Sequence, residues 1–138
     1  MLRLTGYSAT PQARKLGIKP GHVVVLDHAP AGWALSDPPD IDLREHAEQA
    51  DVVLSFVTSA TQVPDAVAAN AAAIFPAAAL WILWPRKASG HVSDVTEELI
   101  RQTALAARLV DVKVAAVDDD WSGLKLVWRK EHRSGNRS

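Results

Sequence analysis

The 138-residue chain is expected to fold as an α/β protein: a mostly parallel sheet with helices on both faces and a C-terminal antiparallel hairpin. Three observations predict this. His22 to Asp27, Asp51 to Val57 and Ala79 to Trp84 carry near-continuous apolar runs, as strands buried on both faces require. Segments with helical signals lie between them, which makes a parallel arrangement the natural one. Finally, Val112 to Val117 and Leu124 to Arg129 are joined only by the turn-like segment DDDWSG, which suits antiparallel pairing.

The elements follow in order. Thr10 can cap a short helix with Pro11 at its first position, and Gly17 suits the residue just past its end. A Pro20-Gly21 turn leads into the first strand. Gly32 to Leu35 is expected to form a helical turn, and SDPPD (Ser36 to Asp40) a loop, because adjacent prolines remove two backbone donors. Ile41 to His46 alternates enough for a short edge strand. After the second long strand, Ser59 or Thr61 can start a helix that tolerates Pro64 in its first turn and runs on alanines to about Phe75. Ser93 is placed to cap the next helix, with Asp94, Glu97 and Glu98 favourable to its N-terminal dipole. Ile100, Ala104 and Ala107 give that helix one apolar face. The tail from His132 to Ser138 is polar and expected to be disordered, which leaves residues 1–131 as one domain.

Composition narrows the function classes. Hydrophobic residues make up 48% of the chain, enough for a full core at this length. Cysteine is absent, so disulfides, thiolate catalysis and cysteine metal sites are excluded. The formal net charge of −1 provides no general field for nucleic acid or an anionic membrane, although Lys125, Arg129, Lys130, Arg133 and Arg137 gather near the C-terminus. No segment has the length and apolarity of a signal peptide or membrane span, so a cytoplasmic protein is expected. The five histidines, His22, His28, His46, His91 and His132, lack metal-ligand spacing, and no serine lies in a GxSxG elbow. No metal and no cofactor are expected.

The alternation of strands and helices with a final reversed strand resembles the methyltransferase variant of the Rossmann fold. That resemblance implies a Gly-rich loop after the first strand. The sequence instead reads HAPAG there, from His28 to Gly32, with too few residues before Asp51 for two helix–strand units. The scaffold therefore reads as truncated on its cofactor side. A second resemblance covers nearly the whole chain. The segments GYSATPQARKLGIKPG, ADVVLSFVTS, LWILWPRKASG, DVTEELIRQTAL and LVDVKVAAVDDDWSGLKLVWRKE resemble a small bacterial family catalogued as domain of unknown function 3052. It implies a small α/β domain and carries no established catalytic residues.

In open α/β sheets, ligands bind beyond the carboxyl ends of the parallel strands. That rule gathers His28, Thr58, Ser59, Arg86, Lys87 and His91, with Asp27 and Ser89 beside them, as candidates for holding a carboxylate, phosphate or nucleotide. The same residues also suit plainer roles, as helix caps and solvated loop charges. Asp118, Asp120 and Trp121 could form a wall of such a site if their loop folds over Arg86 and Lys87. Otherwise they make a solvated turn closed by Ser122 and Gly123. Trp81, Trp84 and Trp128 are expected in the core, while Trp33 could cover the sheet end where a nucleotide base would lie.

Together these readings favour a non-catalytic binding or regulatory module over an enzyme or sensor for a small anionic ligand. A protein partner, homodimerisation through the edge beyond the first strand, or that anion are the expected associations.

Overall fold

The computed structural model describes residues 11–87, 90 and 92–133. Thr10, Ser89, His91 and the tail beyond Arg133 lie outside the described residues. Six strands form one mixed sheet: β1 (Val23–Asp27), β2 (Asp42–Arg44), β3 (Val52–Phe56), β4 (Ala79–Pro85), β5 (Leu109–Ala116) and β6 (Trp121–Trp128). Their spatial order is β2-β1-β3-β4-β6-β5. The strands β2, β1, β3 and β4 pair in parallel. The last strand runs antiparallel to both neighbours, wedged between β4 and β5. The hairpin is thus not appended at the sheet edge: its second strand reaches inward and leaves its first as the edge.

Among the described residues, three α-helices complete the fold: α1 (Gln12–Leu16), α2 (Val63–Asn70) and α3 (Glu97–Ala106). Alternate strand residues face opposite sides, so each face has its own core. On one face Val53, Leu80, Ile82, Leu124 and Leu126 pack against Val67 of α2 and Ile100 of α3. On the other, Val24, Leu54, Trp81 and Leu83 meet Leu16 of the five-residue α1 and side chains of the loop after β1, including Trp33 and Leu35. Two helices therefore cover the first face, and a loop does much of the covering on the second. Each large apolar side chain removed from water contributes roughly 1.5–3 kcal/mol. Trp81 is the largest of them: it is fully buried, and its indole N–H donates to the Leu16 carbonyl at 3.1 Å, which binds α1 to the sheet.

Local chemistry sets the boundaries. Gly17 ends α1 in the left-handed region at φ 78°, returning its N–H to the Arg14 carbonyl. The helix after β3 stops at Asn70, short of the expected Phe75, and tightens into a 3-10 turn at Ala72–Ile74. Asn70 donates its side-chain amide to the Ala66 carbonyl, a local bond that competes with helix continuation. Thr96, not Ser93, caps α3: its hydroxyl accepts the Leu99 N–H at 3.1 Å. Ser93 instead donates to the Thr58 carbonyl and accepts from Val95 N–H. Gly32 to Leu35 makes no helical turn; Pro30 and Trp33 close a bend there through one backbone hydrogen bond. The hairpin strands extend further than expected, so Ser122 and Gly123 pair with Ala116 and Ala115 inside the ladder. Lys130–His132 forms a 3-10 turn.

Candidate functional site

The strand order reverses between β1 and β3, because β2 follows β1 on one side and β3 lies on the other. The crevice beyond the carboxyl ends of those two strands is where such a sheet offers a ligand room. Its two sides differ.

On the α2 side, Asp27 ends β1 in register with Ser55 of β3. The Ser55 hydroxyl donates to Asp27 Oδ2 at 2.8 Å, and Asn70 Nδ2 donates to the same oxygen at 3.1 Å. His28 Nδ1 lies 3.0 Å from Asp27 Oδ1, with its imidazole largely in solvent and its backbone at φ 61°, an unfavourable region for a residue with a side chain. Serine, aspartate and histidine thus meet at one point, in the wrong order for nucleophilic catalysis. A catalytic imidazole stands between hydroxyl and carboxylate and takes the hydroxyl proton. Here the carboxylate stands in the middle, and Ser55 is fully buried. The cluster orders β1, β3 and α2 against one another.

A cavity of about 230 Å³ opens beside it, with Asp27, His28, Gln62 and Asp65 as its polar lining. A second of about 190 Å³ shares Asp27 and adds Glu45 and His46. Each lining holds two carboxylates, Asp27 with Asp65 in the first and Asp27 with Glu45 in the second. No group of three or more histidine, aspartate or glutamate side chains that could hold a metal ion occurs among the described residues.

On the opposite face, Phe56 at the end of β3 stands edge-on between Trp33 and Trp121, with ring centroids 4.9 Å away on each side. Trp33 Nε1 donates to Asp118 Oδ2 at 2.9 Å. The other carboxylate oxygen of Asp118 accepts the N–H groups of Asp120 and Trp121, both at 2.8 Å. The loop from Val117 to Asp120 is therefore folded back over the sheet end. It also engages Arg86, whose backbone N–H donates to the Asp120 carbonyl and whose Nη1 donates to the Asp118 carbonyl.

The remaining sequence candidates fall into place around this. Gln62 Oε1 accepts from Thr58 N–H at 2.6 Å and Ser59 N–H at 3.1 Å, and the Ser59 and Thr61 hydroxyls are hydrogen-bonded to each other at 3.1 Å. Asp94 takes the N–H of Ala60 at 2.7 Å. Thr58 and Ser59 thus serve the turn that starts α2. Lys87 is exposed beyond β4. Arg86, Asp118, Asp120 and Trp121 are brought together; His28 belongs to the Asp27 cluster. Sequence reasoning missed Ser55, the lone polar residue of an otherwise apolar strand, and Asn70, which follows two alanines at the end of α2.

No known family model and no curated protein matches this chain. Among the described residues, no helix is long and apolar enough to cross a membrane.

Proposed function

We propose that this chain is a non-catalytic binding or regulatory module on a degenerate methyltransferase-like scaffold. Membership of the domain of unknown function 3052 family, implied by the sequence segments, is part of the same proposal. The strand order supports it: a reversed last strand is inserted beside a parallel run, while among the described residues only the three-residue β2 lies beyond β1. A single short strand leaves little of a cofactor-binding half.

One observation carries the reading. On the face opposite α2, the end of β3 is covered by the chain's own Trp33 and Trp121 on Phe56, latched by the Trp33–Asp118 hydrogen bond. The rim's polar groups support it too, since Gln62, Asp118 and the Asp120 carbonyl engage them. An anion at this rim would also meet Asp27 and Asp65 in the adjoining cavity.

Thermal-shift measurements with S-adenosylmethionine, its demethylated product, nucleotides and inorganic phosphate test this. A ligand at about a hundred times its Kd stabilises the folded state by about 2.7 kcal/mol. No shift is expected from any member of this panel. A saturable shift that Arg86→Ala or Lys87→Ala abolishes overturns the reading in favour of an anion site at the rim.

A further inference from the structure

Lys125 of β6 lies directly opposite Lys113 of β5 and beside Trp81 of β4. Like charges opposed across an antiparallel pair destabilise it. Lys113 has a compensating contact, because its ammonium sits over the Trp81 ring, 5.9 Å from the centroid. Lys125 has none: among the described residues, no hydrogen bond or ion pair reaches its half-buried amine. Desolvation, and then the charge of Lys113, hold that amine below the ordinary lysine value. The amine lies beside Gly17 at the end of α1, where an added β-carbon would stand at an ordinary contact distance of 3.8 Å from Nζ.

The amine lines a cavity of about 440 Å³ at the amino ends of the parallel strands, far from the rim. That volume is in the range of small-molecule sites. Leu16, Val52, Phe75 and Val127 supply apolar walls, while Lys19, His22 and Asp51 line its polar part. Asp51 is already engaged, since its Oδ2 accepts the Val23 N–H at 2.8 Å. His22 Nδ1 accepts the Lys19 N–H at 3.2 Å, so two amines face one occupied carboxylate. Among the described residues no arginine lines the cavity, and phosphate recognition favours guanidinium forks and clusters of N–H donors. A dianion would also approach Asp51. A monoanion with an apolar body satisfies both the amine and the walls.

We propose that this cavity binds a small organic carboxylate through Lys125, with its apolar body against Leu16, Val52 and Val127. The proposal goes beyond the reading of the rim and does not depend on it. Calorimetric titration with isovalerate and phenylacetate at neutral pH and low ionic strength tests it. Wild-type protein binds both saturably. Lys125→Met, which keeps the apolar stem and removes the charge, weakens binding about tenfold or more, and Lys125→Arg recovers most of it. Arg86→Ala leaves binding unchanged, which separates this site from the rim. Lys125→Met melts at or above the wild-type temperature, because an uncompensated charge has been removed, so lost binding is not lost folding. The proposal is overturned if wild type binds neither carboxylate, if Lys125→Met binds as well as wild type, or if inorganic phosphate binds more tightly than phenylacetate.

Discussion

The indole N–H of Trp33 donates to a carboxylate oxygen of Asp118, 2.9 Å away in space and 85 residues along the chain. The bond joins the loop after the first strand to the turn before the last. It presses Trp33 against Phe56 and keeps the turn over Arg86. Asp118 accepts three N–H groups in all. Asp118→Ala leaves them without their acceptor and is expected to cost about 1–3 kcal/mol. Asp118→Asn retains one acceptor oxygen and is expected to lose less. Urea denaturation, monitored by tryptophan fluorescence, measures both. Equal stability of Asp118→Ala and wild type would show that the latch is incidental.

Gly123 of β6 is required for packing rather than for backbone freedom. A β-carbon there would come within 2.9 Å of Trp81 Cε3 and 3.1 Å of Val117 Cγ2. Trp81 cannot yield easily, because it is fully buried and its N–H is bound to the Leu16 carbonyl. Gly123→Ala is therefore expected to destabilise by about 1–3 kcal/mol through overpacking. A shift in the denaturation midpoint at unchanged slope is the readout. A neutral result would mean that the indole can slide within this core.

How much of this was legible in the sequence follows from what each signal encodes. The runs VVVLD, VVLSF and LWILW report burial on both faces, which the sheet interior imposes locally, so those strands could be read directly. The position of the last strand could not. Its insertion between β4 and β5 is decided by pairing over more than thirty residues of sequence. Helix starts were misplaced where two capping residues competed: Ser93 is spent on the Thr58 carbonyl, which leaves Thr96 as the cap. At the rim, the residue types were visible but their engagements were not. Arg86 reads as a free cation until the loop at Asp118 is folded onto it. Lys125 reads as one of several C-terminal charges, and only the register opposite Lys113 shows its conflict.

The cluster of Asp27, Ser55 and Asn70 is expected to behave as a structural unit. Ser55 is fully buried, and both Ser55 and Asn70 donate to one oxygen of a largely buried carboxylate. Hydrogen bonds to a charged acceptor are worth roughly 1.5–3 kcal/mol, so Ser55→Ala and Asn70→Ala should each lose an amount of that order. Because they share Asp27, their effects should not add. A double-mutant cycle should give a coupling of about 0.5 kcal/mol or more. Additive losses would show that the two donors act independently of the carboxylate.

The conflict at Lys125 carries a pH signature whose sign can be worked out. Its folded-state pKa lies below the ordinary lysine value of 10.5, chiefly through desolvation and secondly through Lys113. The unfolded chain therefore holds this proton more tightly than the folded chain does. Wherever the unfolded state binds more protons, stability rises with pH. The penalty is present in full below the folded-state value and fades as pH climbs toward 10.5. The groups facing the amine are Lys113 across the ladder and Lys19, His22 and Asp51 around the cavity. Wild type should therefore gain stability on Lys125→Met as the solution is made alkaline, measured by urea denaturation at stepped pH. A saturating carboxylate should flatten that difference, since it compensates the ammonium that Lys125→Met lacks. If the two proteins keep parallel profiles throughout, the amine is adequately solvated in the folded state, and the charge conflict inferred from its register is absent.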